Sequence, residues 1–416
     1  MRGVKPISAW QFACFRVVFG VYLAIHFATL LPYGAELFSD RGVIADPALN
    51  LTHGLFPDPL DFWGTPRFVT VFLLVLVGLA VAFALGVARR PVALLLWFGW
   101  AALFNRNNLI ANPSIPYVGL LLLLTVLVPP GEPLAPGSRH RREGQEWGFP
   151  AGVYGVAWLL FAAGYTYSGC TKLASPSWQD GSALRHVLDN PLARPGPLRD
   201  LLLALPAPWL RWATWAALAC EILPLPLSFS RRTRLWAWLG TAALQLGILS
   251  LVSFADLTFG MLMVHLFVFD PDWLPARRVA GARQLLLYDG VCGLCDRTVQ
   301  FLLAEDRSAV LSFAPLQGET AAGILADQPL AGEMRSVVFV RDLGTPRQVI
   351  LVRSTGALAI LAAVGGFWRV VAGLWVVPRP LRDAVYDWIA RHRYAWWGRF
   401  EVCKLPAPAV QARFLP

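Results

Sequence analysis

The stretch Gln284-Leu-Leu-Leu-Tyr-Asp-Gly-Val-Cys-Gly-Leu-Cys-Asp-Arg297 sets the reading of the chain. Leu285 to Leu287 form a short apolar run with the length of a buried strand. Asp289 and Gly290 interrupt it, and Cys292-Gly-Leu-Cys295 falls where a helix should begin. Thr298, Val299, Phe301, Leu302 and Leu303 then supply an apolar face at helical spacing. A thiol at a helix N-terminus meets unpaired backbone N–H groups and the positive end of the helix dipole, and both favour thiolate. In a Cys-x-x-Cys pair the second sulfur resolves a mixed disulfide made by the first. Cys292 is therefore the candidate attacking thiol and Cys295 the resolving one. A half zinc site and an inert pair are the alternatives. Structural zinc takes four ligands, and with no second Cys-x-x-Cys and no nearby paired histidines, no metal is expected.

Tyr288-Asp-Gly-Val-Cys-Gly-Leu-Cys295 resembles the opening of the DCC family of thiol–disulfide oxidoreductases. The resemblance continues through Phe313-Ala-Pro-Leu-Gln317, Ser354-Thr-Gly-Ala357 and Pro380-Leu-Arg-Asp383, then Tyr386, Arg393-Tyr394, Gly398-Arg399 and Cys403. It covers residues 283–405 and implies a thioredoxin-like fold. It also implies a redox neighbourhood of Tyr288, Asp289, Gly290 and Asp296, with Cys403 as a spare thiol. One departure is the third strand. Thioredoxin-like enzymes commonly place a cis-proline just before it, whereas this chain reads Gly332-Glu-Met-Arg-Ser336, with Pro329 the nearest proline.

Working outward, the other segments are of a different kind. The 416 residues are 56% hydrophobic and only 15% charged, with a mean hydropathy of +0.52, which is the composition of a membrane protein. Spans of about 20 apolar residues are expected at 9–31, 67–88, 91–110, 115–130, 149–168, 207–228, 235–254 and 257–274. Trp10 to Leu31 lacks the cleavage site of a signal peptide. The net charge of +10 is not a stripe of the nucleic-acid-binding kind, and no nucleic-acid partner is expected. It falls in clusters: Arg2 and Lys5, Arg89-Arg90, Arg139 to Arg142, Arg231 to Arg234, and Arg277 to Arg283. Every second connection is basic, so both termini belong in the cytoplasm by the positive-inside rule. The long connections at 32–66 and 169–206 should carry short interfacial pieces packed on the bundle. Beyond a basic linker, alternating segments predict strands at 284–289, 309–314, 335–341 and 347–353. Helices are predicted at 293–305, 318–327, 354–365 and 380–393, making a small α/β domain.

Tyr165-Thr-Tyr-Ser-Gly-Cys-Thr-Lys-Leu-Ala-Ser-Pro-Ser-Trp-Gln-Asp-Gly181 holds a second candidate. Lys172 is the lysine of the helical region, in a chain whose basic residues are otherwise nearly all arginine. Desolvation can strip a lysine of its proton far more readily than an arginine. Lys172 is thus a possible base or, equally, a snorkelling side chain on apolar surface. A base would need a cavity between spans, an apolar shell from Tyr165, Tyr167, Leu173 and Trp178, and no carboxylate within salt-bridge distance.

Ser168-Gly-Cys-Thr-Lys-Leu173 with Trp178 and Gly181 resembles a segment of the vitamin K-dependent γ-carboxylase-like transmembrane family, the HTTM domains. Arg16, Gly20 and Asp270-Pro-Asp-Trp273 fit as well. The resemblance covers about residues 8–275 and implies a membrane quinone as cofactor, with Lys172 as base and Gly169, Trp178 and His265 as neighbours. Asn105-Arg-Asn-Asn-Leu-Ile-Ala-Asn112 lacks the histidine of the corresponding carboxylase segment, and the carboxylase's large lumenal domain has no counterpart, so glutamate carboxylation is not expected. His26 and His265 lie inside spans, where an ionisable group marks function or a neutral ring bonded to a carbonyl. Glu221 lies inside a helix and demands a partner the sequence does not name.

The expectation is therefore an all-α membrane bundle of eight helices at 1–275, followed by a thioredoxin-like α/β domain at 283–405. The function expected is that of a membrane-bound thiol–disulfide oxidoreductase, set in the bacterial inner membrane with the Cys-x-x-Cys domain cytoplasmic. Its partners would be the lipid bilayer and a thiol or disulfide, protein or small molecule. The rival readings are a quinone-directed membrane enzyme and an anchored binding module.

Overall fold

The computed structural model describes residues 7–50, 52–136, 147–276, 283–326, 337–401 and 408–416. The chain divides into two compact units, Met1–Phe269 and Asp270–Pro416.

The first unit is helical. Its long helices are α1 (Ala9–Leu30), α2 (Pro66–Leu85), α3 (Arg89–Arg106), α4 (Ser114–Leu127), α5 (Ala151–Lys172), α6 (Ala207–Ile222), α7 (Arg231–Leu251) and α8 (Ala255–Phe267). Each coincides with one expected span. Among the described residues, two stretches, Ala9–Phe38 and Pro66–Leu85, are long and apolar enough to cross a membrane by length and composition. The count of eight spans therefore does not follow from helix lengths alone.

Local chemistry explains the helix starts. Ser8 and Thr65 accept from the N–H groups of Gln11 and Phe68, and Pro66 sits in the first turn of α2. At Gly20 an added Cβ would stand 2.7 Å from the backbone N of Ala84, so the glycine sets how closely α1 and α2 approach. Both helices also turn large side chains outward, among them Val18, Ile25, Leu74 and Val75. The long connections carry short helices at Gly34–Phe38, Pro59–Phe62, Ala183–Asp189 and Pro197–Leu203, with Phe38 and Leu60 fully buried.

One arginine of the basic clusters, Arg89, also has a structural role inside the unit. Arg89 is buried, not solvated, and so is Arg16. Both guanidinium groups meet Glu132, Arg89 Nε at 2.8 Å and Arg16 Nε at 3.3 Å. Arg16 also donates to the carbonyl of Phe83, and Arg89 to those of Val128 and Pro129. These are internal clamps on the helix ends, where an unpaired charge would be costly. Lys5, Arg139 and Arg277 lie outside the described residues.

The second unit holds a mixed four-stranded sheet of β1 (Arg283–Tyr288), β2 (Leu311–Pro315), β3 (Val338–Leu343) and β4 (Val349–Val352), in the order β2-β1-β3-β4. β1 pairs parallel with β2 and antiparallel with β3, and β3 pairs antiparallel with β4. The helices are α9 (Gly293–Glu305), α10 (Glu319–Leu325), α11 (Arg353–Val364) and α12 (Arg379–Trp397). Leu285, Leu286 and Leu287 are completely buried, as a strand covered on both faces requires. Leu285 and Leu287 pack with Ala314, Ala321, Val338 and Val340.

The domain extends beyond residue 405. Phe414 bridges in parallel to Phe313, Leu415 N–H donates to Phe313 O at 2.8 Å, and Thr320 N–H donates to Pro416 O. Arg413 binds Asp306 at 2.5 Å. The tail thus covers the free edge of β2, which would otherwise expose unpaired backbone.

Candidate functional site

β1 delivers the chain to Asp289, and Cys292 takes the N-cap position of α9 with extended backbone. Its Sγ accepts from the N–H of Cys295 at 3.4 Å. The Cys292 thiol is pulled down to about 6, first by a hydrogen bond from the Cys295 thiol, then by backbone N–H groups of Cys295 and Leu294 and by the charge of Arg393, against burial. The same thiol–thiol bond, with burial, pushes Cys295 strongly up. One sulfur holds the charge and the other holds the proton.

Asp289 organises what surrounds them. It is buried, and its carboxylate accepts from Tyr394 OH at 2.5 Å, Gln317 Nε2 at 3.1 Å, Val291 N–H at 3.2 Å and Arg393 Nη2 at 3.2 Å. Burial alone would raise its pKa; these bonds and the Arg393 charge hold it below the usual carboxylate range. Gly290 N–H donates to Gln317 Oε1. Arg393 stands over the Tyr394 ring at 4.6 Å, with Arg399 over the same ring at 5.6 Å. Residues from β1, the end of β2 and α12 are thereby tied to the cysteine loop.

Cys292, the candidate attacking thiol, is covered. Its relative exposure is 0%, against 5% for Cys295. The cover is the strap after α12: Gly293 N–H donates to Gly398 O at 3.1 Å, Phe400 N–H donates to Val291 O at 2.8 Å, and Arg399 bridges to Cys292. Cys295 lines a cavity of about 200 Å³ between α9, α11 and α12. Tyr288 turns its ring edge-on to Phe414, and Asp296 sits in the first turn of α9. Cys403 and the Gly332–Ser336 departure lie outside the described residues.

In the helical unit, α5 runs on through Lys172, which places Ser168 and Lys172 one turn apart on a single face. Lys172 Nζ lies 2.5 Å from Glu221 Oε2 and 2.7 Å from Ser168 Oγ, and Ser168 donates to the same carboxylate oxygen. A carboxylate within salt-bridge distance corrects the expectation of a lone amine, and it supplies the partner that Glu221 required. Gly169 makes the pair possible: a Cβ there would stand 2.9 Å from Ile222 N, so α5 and α6 meet closely at this level. Trp178 covers the amine at 5.5 Å.

The expected cavity is present, at about 840 Å³, and Lys172, Glu221, Ser168, Tyr165, Trp178 and Gln245 are among its lining residues. The expected shell is only partly there, since Tyr167 and Leu173 point outward. His265 is outside the lining. Its ring nitrogens lie 2.9 Å from Met261 O and 3.1 Å from Thr241 Oγ1, the bonded histidine of the simpler reading. His26 faces Asp256 at 2.8 Å.

A family model described as HTTM domain matches residues 4–273. The chain belongs to the HTTM family. A second model, DCC1-like thiol-disulfide oxidoreductase, matches residues 286–399. The uncharacterized protein YuxK of Bacillus subtilis (strain 168) is 38% identical over 134 residues, which are 32% of this chain and 94% of that protein. A chloroplastic DCC family protein of Arabidopsis thaliana is 33% identical over 125 residues, 30% of this chain and 70% of its own. No solved structure matches.

Within the DCC1-like domain the sequence located the cysteines but not the group around Asp289. Gln317, Arg393 and Tyr394 stood only as matching motif residues, up to 105 positions away. Nothing in their spacing joins them to Asp289; only the shared motif hinted at it. Ser354 and Asp383, also motif residues, bond to each other and fasten α11 to α12. In the HTTM domain, Lys172 and Glu221 were each singled out, but as unrelated residues.

Proposed function

We propose that the chain is a membrane-anchored thiol–disulfide oxidoreductase in which Cys292 attacks and Cys295 resolves. The observation that carries this reading is the division of labour at the helix N-cap, where Cys292 is held toward thiolate and Cys295 keeps the proton. The Cys292 thiolate attacks one sulfur of a substrate disulfide. The S–S bond breaks, and the departing thiolate takes the proton of Cys295. Cys295 then attacks Cys292 Sγ, forming the protein disulfide and releasing the second half of the substrate, which takes its proton from solvent. Two electrons pass from the cysteine pair to the substrate.

The strand order β2-β1-β3-β4, with helices α9 and α10 in the crossovers, supports a thioredoxin-like reading of the domain. Outward apolar side chains on the HTTM helices support a bundle in lipid. The alternating arginine clusters support eight spans with cytoplasmic termini. The test is a redox titration of the full-length protein in detergent, with Cys292 and Cys295 followed by mass after trapping. A reversible two-electron transition is expected. A pair that stays dithiol at every accessible potential would leave only the anchored-module reading.

The large HTTM cavity favours a second reading, a site for a lipid-soluble ligand such as a quinone. Lys172 is already engaged by Glu221 and Ser168. Its role there is hydrogen-bond donor to a ligand oxygen, with Glu221 and Ser168 holding it in place.

A further inference from the structure

The cavity beside Cys295 has no part in the exchange steps above. Its walls are apolar on three sides: Phe301 from α9, Ala357 and Ile360 from α11, and Ile389 and Ala390 from α12. Its charged member, Arg393, is already engaged by Asp289 at 3.2 Å and by Tyr394. Val337, immediately before β3, also lines it. Its backbone N–H is bonded to Tyr386 OH at 3.2 Å and is not offered outward. Main-chain pairing with a substrate at this strand end is thus taken up internally. What remains open next to the Cys295 sulfur is apolar volume. A cavity of about 150 Å³ lined by such residues suffices for benzene, and this one is about 200 Å³.

Building on the redox reading, we propose that this cavity is the specificity pocket of the exchange site: it takes an apolar side chain adjoining the substrate's reacting sulfur. The substrate class is then an apolar thiol or disulfide, such as a cysteine flanked by an aromatic or aliphatic residue. Anionic small thiols of the glutathione type find no free cation among the lining residues. With its side chain seated in the cavity, the substrate holds its sulfur beside Cys295, whose thiol is hydrogen-bonded to Cys292. Attack by Cys292 and proton delivery by Cys295 then occur at one place.

The test oxidises the reduced full-length protein in detergent with two symmetrical disulfides, those of N-acetyl-Cys-Phe-amide and N-acetyl-Cys-Glu-amide. Bis(2-hydroxyethyl) disulfide serves as the reference without a side chain. Burial of the ring should make the Phe probe about tenfold or more faster than the Glu probe. Ala357→Leu and Ala390→Leu fill the cavity from opposite walls. Each should remove most of that advantage, read within each variant as the ratio of the Phe-probe rate to the reference rate. Equal rates for the two probes in the wild type, or an advantage that survives both filled variants, would overturn the proposal and leave the redox reading standing. If none of the three disulfides oxidises the pair, the redox reading fails and the pocket assignment falls with it.

Discussion

Gly293→Ala tests whether the strap gates Cys292. In an ordinary helix this change stabilises by about 0.5–1 kcal/mol. Here the new Cβ would stand 2.1 Å from Trp397 O and 3.1 Å from Gly398 O. Ordinary contact begins at 3.4 Å, so the strap must retreat by about 1 Å or more, a distance that breaks a backbone hydrogen bond. The bonds at stake are Gly293 N–H to Gly398 O and Phe400 N–H to Val291 O. At about 0.5–1.5 kcal/mol each, their loss weakens the closed state by about 1–3 kcal/mol. At 1.4 kcal/mol per decade, the open population and the alkylation rate of Cys292 rise by about 5- to 140-fold. The assay is alkylation of the full-length protein by iodoacetamide, with Cys292 and Cys295 resolved by peptide mass, alongside the melting temperature. Faster labelling of Cys292 together with lower thermal stability is expected. A variant that gains stability and labels at the wild-type rate would refute the strap as the barrier.

Three further outcomes follow from the geometry. The Cys292 thiolate, read by ultraviolet absorbance as the difference from Cys292→Ser, should persist down to about pH 6. Because the folded value lies below an unfolded thiol's value of about 8.5, this group stabilises the fold above that pH, and the contribution disappears as pH falls through about 6. Glu221→Gln should destabilise the HTTM unit by about 1–3 kcal/mol, discounted for the partial exposure of Lys172. The double variant Lys172→Met with Glu221→Leu should recover much of that loss; a double variant as unstable as the sum of the singles contradicts a coupled pair. Removing residues 408–416 strips the Arg413 ion pair and the cover from β2. The truncated chain should lose amide-exchange protection along Leu311–Pro315, and unchanged protection there would show the tail to be incidental.

The sequence by itself determined the elements. Runs such as Leu285–Leu287 and the apolar faces of α1 and α2 are local properties, and the Asp289-Gly290 break with Cys292 at a cap is written in adjacent residues. The order of strands and helices in the DCC1-like domain followed from the same periodicities. Everything that depended on distant residues meeting was left to the tertiary structure. Asp289 gathers Gln317 from 28 positions away and the Arg393-Tyr394 pair from more than a hundred, and Lys172 finds Glu221 because Gly169 lets two helices close on each other. Burial was decided there too. Cys292 is covered by Gly398–Phe400, and Arg89 is an internal clamp on Glu132, a contact that its place in a basic pair does not announce. Periodicity records which face of an element is apolar, but the chain segment that covers a residue is a property of the packed fold.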